Sequence, residues 1–312
     1  MSNAKKTTIG GQALLEGIMM LGPNKSAISI RKPDGEIELK VEERVPLGKR
    51  FKILALPFIR GVIGLYESMS RGIKAINYSA SFIPDEPETG EQSKVDAWIE
   101  RKIGWDRAQN ILMGVATVLG VIIPIALFIF LPTLLAGVFD KYIGSGILRN
   151  LLEGVIRISA FLLFMFATSR MKDMKRVFAY HGAEHKTIFC YESGKELTVE
   201  NVRGFKKEHP RCGTSFLFSV MIVSIIVFSV VQWSNPLIRV ALRLALLPVV
   251  VAISYEINRF IGRYDNIVCR IMRAPGLWFQ GFTTFEPDDS MIEVAISALE
   301  AVIPEDDGAD RW

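Results

Sequence analysis

The chain has 312 residues, 50% of them hydrophobic, and a mean hydropathy of +0.28. A chain of this length buries a large core; its apolar share is ordinary, but the positive mean hydropathy means that the apolar residues are concentrated, and a disordered chain and a soluble secreted one are not expected. Its 37 basic and 33 acidic residues leave a net charge of only +4, too little to argue for nucleic acid. The three cysteines, Cys190, Cys212 and Cys269, are too few and too odd in number for a disulfide framework. Met1 to Thr8 is polar with no apolar core directly behind it, so no secretory signal is expected.

The string Gly10 to Met20 is apolar apart from Gln12 and Glu16. A lone carboxylate in such surroundings wants a partner, either an arginine or a metal. Ala27 to Val45 alternates apolar and polar residues about Lys32-Pro33-Asp34-Gly35, the pattern of two strands and a tight turn. A lone hairpin is unstable, so these strands must join others or rest on a membrane. Phe51 to Tyr78 reads as helical and Gly-rich. It is too interrupted to span a bilayer and is expected to be interfacial or re-entrant. Pro84 to Asp96 reads as an acidic linker.

Ile111 to Phe139 runs 29 residues without a charge, and about 20 residues cross a bilayer. Pro124 and Pro132 predict a kink inside it. Ile147 to Ser169 is a second span, with Arg149, Glu153 and Arg157 on one helix face where they can pair. Thr214 to Trp233 is a third, and Leu237 to Tyr255, with Arg239, Arg243 and Pro248, a fourth. Arg239 and Arg243 are expected to partner Glu153 or lipid phosphate. Asp288 to Ile303 reads as an amphipathic helix with the stripe Ile292, Ala295, Ile296, Leu299 and Val302, capped by Asp288 or Asp289.

The expected fold class is therefore a mainly α, polytopic membrane protein with about four transmembrane helices in two hairpins. It has a small β-containing part at the N-terminus and an amphipathic helix at the C-terminus. The chain divides into an N-terminal cytoplasmic or interfacial region (1–108), a transmembrane hairpin (109–169), a cytoplasmic His/Cys loop (170–213), a second transmembrane hairpin (214–256) and a C-terminal cytoplasmic region (257–312). Lys and Arg gather before residue 110 and in 170–213, whereas the two hairpin turns hold only Lys141 and Arg149. The positive-inside rule then puts both termini and the central loop in the cytoplasm.

All three histidines, His181, His185 and His209, lie in that central loop. The string His181-Gly-Ala-Glu184-His185 fits H-x-x-E-H, which on a helix stacks two imidazoles one turn apart on one face. There they can hold one metal, with Glu184 as general base to an activated water. His209 and Cys212 add a second N/S pair. His209 reads equally well as an ordinary residue before Pro210, and Cys212 as a small apolar residue before a membrane helix. Four ligands make a structural site, and three leave a catalytic position open. Mixed N/S donors favour zinc among divalent metals. Cys190 and Cys269 read as packing residues. Lys186 and Arg211 are placed to stabilise an oxyanion or bind a phosphate. Glu16, Glu256 and Glu286 are further polar candidates, although a salt bridge from Glu256 to Arg259 or Arg263 is the plainer reading.

Four strings together resemble the bacterial YqhQ-like family: Gly10 to Met20, His181-Gly-Ala-Glu-His-Lys186, His209-Pro-Arg-Cys-Gly-Thr-Ser-Phe216 and Thr283-Thr-Phe-Glu-Pro-Asp-Asp289. This is a domain-of-unknown-function family described as metal-dependent membrane enzymes. The resemblance implies a multi-pass protein of the bacterial inner membrane with a metal at His181 and His185. Two functional expectations follow. One is a metal-dependent hydrolase at the cytoplasmic membrane face, acting on a membrane protein segment or a lipid-linked molecule. The other is a non-enzymatic scaffold or carrier in which the metal, or a hydrogen-bonded cluster, staples the loop to the helices. Four helices are few for an independent transporter, a shortfall an oligomer relieves. The lipid bilayer is the one partner expected under both.

Overall fold

The computed structural model describes residues 6–83, 104–143, 146–230, 235–306 and 308–311. The expected linker Pro84 to Asp96 and Trp233 lie outside them. The chain forms two compact units, one of Met1–Ile83, Leu163–Val227 and Leu246–Trp312, the other of Pro84–Leu162 and Phe228–Ala245.

In the first unit, β1 (Gly10–Leu14), β2 (Gly17–Leu21), β3 (Lys25–Arg31) and β4 (Ile37–Glu43) form an antiparallel meander in the order β1-β2-β3-β4. β3 and β4 are the expected hairpin, closed by Gly35 N–H on the Lys32 carbonyl at 2.9 Å, with Gly35 at φ +88°. They do join others. β1 and β2 form a second hairpin from the string that the sequence shows only as apolar. Its turn is Leu15-Glu16, with Glu16 at φ +51°, and not one of the Asn-Gly or Asp-Gly pairs that announce a hairpin.

β2 is buried from Gly17 through Met20, because both sheet faces are covered. On one face lie α7 (Lys172–Glu192) and α12 (Asp289–Glu300), numbering helices in chain order. Ile18, Met20 and Ala27 pack there against Tyr180, Ala183, Ile292, Ala295 and Leu299. Each large aliphatic so buried contributes about 1.5–3 kcal/mol. On the other face α2 (Ile59–Ala80) sets Ala75 against Leu14 and Met19. Before it come α1 (Leu47–Arg50) and a 3₁₀ turn (Lys52–Ala55), where Ile53, Leu56 and Phe58 stay exposed.

The amphipathic helix expected from Asp288 is α12. The Asp288 carboxylate accepts the Met291 N–H at 3.0 Å, and Ile292, Ala295, Leu299 and Val302 are buried. α11 (Ile267–Gln280) has no counterpart in the sequence reading. It is capped by Asn266, buries Cys269, Phe279 and Gln280, and leaves Ile267, Val268, Ile271 and Trp278 exposed.

Among the described residues, three helical stretches are long and apolar enough to cross a membrane: Gly114–Val138, Ile147–Arg170 and Leu237–Arg263. The first comprises most of α3 (Trp105–Ile125), a π turn (Ala126–Phe130) and α4 (Leu131–Val138). The expected irregularity thus falls between Pro124 and Pro132. A short α5 (Asp140–Ile143) follows, then α6 (Ile147–Arg170). Pro132 has no N–H for the Phe128 carbonyl four residues back. Arg157 of α6 takes that carbonyl instead, its Nε donating at 2.7 Å.

The same arginine pairs with Glu153 at 3.0 Å, and Arg243 reaches the same carboxylate oxygen. Both guanidiniums lie over the Phe228 ring, and Thr133 Oγ1 donates to Glu153 at 3.0 Å. The expected pairing of Glu153 with Arg157 and Arg243 is therefore present within the second unit.

The third expected span is shorter than the others. After the brief α8 (Val199–Arg203), α9 covers Gly213–Ser229, 17 residues. At 1.5 Å per residue that is about 25 Å, below the ~30 Å hydrocarbon thickness. α10 (Pro236–Arg263) runs 28 residues, past the Tyr255 end expected from hydropathy. Nothing between Tyr255 and Arg263 breaks a helix, so Glu256, Arg259 and Arg263 sit on it.

Candidate metal centre

α7 sets His181 and His185 one turn apart, as the spacing requires, with ring centroids 4.4 Å apart. Cys212, just ahead of α9, meets them: ligand atoms of these three residues all lie within 4.8 Å of one another. Each imidazole is held from behind. His181 Nδ1–H donates to the Thr283 carbonyl at 2.7 Å, and His185 Nδ1–H to the Lys207 carbonyl at 2.5 Å. In a neutral ring this leaves Nε2 with the lone pair. His181 Nε2 faces Cys212 Sγ at 3.1 Å, and Sγ also receives the Thr214 N–H at 3.4 Å.

Gly182 makes the backing possible. A Cβ there would stand 2.0 Å from the Phe285 carbonyl oxygen. The 283–285 strip can therefore lie against α7, fixed by Phe285 N–H on the Phe178 carbonyl at 2.8 Å.

His209 does not join the three. Its ring is 5.6 Å from that of His185 and stacks edge-on to Phe189. Its Nε2 lies 3.7 Å from Glu192, which pairs with Arg211 and accepts the Thr7 N–H at 2.8 Å. Burial pushes His209 down to about 4, so it is neutral at pH 7. Burial alone would raise Glu192, but His209, Arg211 and the Thr7 N–H outweigh it and hold the carboxyl below its usual range. Gln280 clamps the His209 backbone, accepting its N–H and donating to its carbonyl, both at 2.8 Å. Gln280 is fully buried and carries no signal in the sequence.

Glu184 also lies outside the three-residue group. Its carboxyl is buried and accepts the Gly11 N–H of β1 at 2.9 Å. Burial raises its pKa, against the opposing pull of His181 and the Gly11 bond. Gly11 leaves just enough room, since a Cβ there would lie 2.9 Å from the Glu184 carboxyl carbon.

The remaining candidates have ordinary partners. Glu16 takes an arginine, both carboxylate oxygens meeting Arg176 at 2.5 Å, with the Tyr180 hydroxyl at 3.3 Å. Glu256 pairs with Arg60 of α2, Nε at 2.8 Å, and not with Arg259 or Arg263. α2 and α10 cross closely enough at Gly61 and Tyr255 for that reach. Lys186 and Glu286 pair with each other, and Lys186 also donates to the Arg203 carbonyl at 3.1 Å. Lys186 follows His185 by one residue, about 100° around the helix, which turns it away from the cluster. Cys190 and Cys269 are buried packing residues.

The donor set suits a divalent metal. Two nitrogens and one thiol sulfur converge, each imidazole is oriented by a backbone carbonyl, and that second shell is what zinc-binding histidines use. Three protein donors leave a fourth tetrahedral position.

A family described as "Protein of unknown function (DUF1385)" matches residues 56–305. "Uncharacterized protein YqhQ" of Bacillus subtilis (strain 168) is 33% identical over 298 residues, 94% of this chain and 92% of that protein. No solved structure matches. The matched stretch contains every residue of the His/Cys cluster and its backing carbonyls, and the chain belongs to this YqhQ-like, DUF1385 family.

Proposed function

We propose that the protein is a metal-dependent membrane enzyme of the bacterial inner membrane, with zinc held by His181, His185 and Cys212. The observation that carries this reading is the convergence of those three donors with both Nδ1 atoms already bonded to carbonyls. A divalent ion at such a site supplies Lewis acidity toward water and toward a carbonyl or phosphoryl oxygen, which suits a hydrolase. Glu184 of the H-x-x-E-H string is the candidate base, and its carboxyl would have to turn from Gly11 toward the donors to reach a bound water. Its burial raises the carboxyl's pKa, the direction that strengthens a proton acceptor.

The membrane topology rests on a counting argument. Residues from the N-terminal sheet, α7 and α12 share one core, so these three segments lie on the same side. A chain that leaves that core and returns to it crosses a bilayer an even number of times. α3–α4 with α6 make one pair of crossings. α10 cannot cross alone, so the shorter α9 crosses with it. Four spans result, with both termini and the His/Cys segment cytoplasmic by the distribution of Lys and Arg.

A second reading has its own support. The thiol of Cys212 already bonds His181, and Thr214 holds the sulfur, so the cluster closes as a hydrogen-bonded staple. The protein is then a scaffold or carrier. Elemental analysis of detergent-purified protein, wild type beside His181→Ala/His185→Ala, separates the two. The metal reading expects about one equivalent per chain, lost in the variant. Wild-type protein without metal, purified free of chelators, overturns it in favour of the staple.

A further inference from the structure

A cavity of about 600 Å³ opens beside Cys212 in the first unit. Its lining has two characters. Leu65 of α2 and Phe216 of α9 offer apolar wall, while Arg259 and Arg263 of α10 and Arg311 near the chain end offer charge. Among the described residues no carboxylate lines it, and none of these three arginines forms a salt bridge. Arg211, the fourth, is neutralised by Glu192. Solvated surface arginines are common, but here three that form no salt bridge among the described residues line one cavity, Arg263 lying over the Tyr264 ring, and the lining includes a donor of the candidate metal site. Arg259 and Arg263 are four residues apart and so share one face of the last turns of α10.

Guanidinium groups match phosphate oxygens in geometry as well as charge. We propose that this cavity is the substrate site and that it takes a phosphate ester, the phosphate on Arg259, Arg263 and Arg311 and the remainder along Leu65 and Phe216 toward Cys212. Its role as substrate site rests on the metal reading above; the binding of the phosphate does not. The ester is either a membrane lipid headgroup or a soluble phosphate monoester, and the test distinguishes them.

The full chain in phosphate-free detergent is titrated, by native mass spectrometry, with dioctanoyl phosphatidic acid, with glycerol 3-phosphate and with dioctanoylglycerol. Wild type is compared with Arg259→Gln/Arg263→Gln, with the milder Arg311→Gln, and with Lys172→Gln, an exposed control on α7. Phosphatidic acid is expected to bind wild type and the control alike, and the double variant about tenfold more weakly. Arg311→Gln weakens it in the same direction and serves if the double variant does not fold. Glycerol 3-phosphate binding as tightly as phosphatidic acid assigns the site to a soluble ester, and clearly weaker binding assigns it to a lipid. Dioctanoylglycerol binding as tightly as phosphatidic acid, or phosphatidic acid binding unchanged in both arginine variants, overturns the proposal. Metal content is read on the same preparations. Arginine-dependent binding to metal-free wild type sinks the metal reading alone, and arginine-independent binding to metal-loaded protein sinks the phosphate site alone.

Discussion

Between the two cluster histidines, Gly182 admits the 283–285 strip whose carbonyl orients His181. Gly182→Ala forces that strip away, and overpacking of this kind costs about 1–3 kcal/mol. The expected result is a lower unfolding temperature together with reduced metal occupancy, measured by thermal unfolding and elemental analysis. A Gly182→Ala protein with unchanged stability and metal content would show that the carbonyl contact is not needed. His209 gives a pH signature. Its folded pKa of about 4 lies below the unfolded value near 6.5, so between these limits the unfolded chain binds more protons. Its contribution is complete above about pH 6.5 and is lost as pH falls toward 4. Glu192, also depressed, acts in the same direction at lower pH. Stability should therefore drop by about 2 kcal/mol from pH 7 to pH 5, and His209→Gln should flatten that slope in unfolding curves. At this scale the sequence shows the donors and hides their supports. H-x-x-E-H and the nearby Cys212 are visible as side-chain types at a spacing. The backing groups are the carbonyls of Thr283 and Lys207, which every residue possesses, and the buried amide of Gln280, which looks like any polar residue near a helix end.

Elements were legible where a single period dominated. Hydropathy shows the long apolar helices, and period two shows β3 and β4. β2 failed because a strand covered on both faces loses its alternation, and its hairpin lacks a glycine-type turn. α11 is harder to read because its large aliphatics, Ile267, Val268 and Ile271, lie exposed, whereas its buried residues include Gly276 and Gln280. Among the long apolar helices, Glu153 is the shared partner of Arg157 and Arg243, all three buried. Removing one member of a buried network leaves the other charges uncompensated, at about 3–5 kcal/mol. Glu153→Ala is thus expected to lower thermal stability strongly while leaving metal content unchanged. Loss of metal in that variant would mean that the network supports the cluster after all.

At the scale of the whole molecule, one core is assembled from the first, middle and last thirds of the chain. A chain ending before Asp288 lacks α12 and exposes Ile18, Met20 and Ala27 of the sheet. Such a truncation should be cleaved in its 10–31 region by limited proteolysis under conditions where the full chain resists. Equal resistance would mean that α7 alone protects the sheet.

The same arrangement sets an order of events at the ribosome. The sheet precedes α12, which covers it, by every one of the long apolar helices described above. Thr7 waits still longer for one of its partners, since its hydroxyl bonds Asp310. Local contacts form early and distant ones late. A nascent chain of this protein therefore carries a half-covered sheet until α12 has been made. Of the two carbonyls that back its histidine cluster, that of Thr283 is made well after that of Lys207, with α9, α10 and α11 between them.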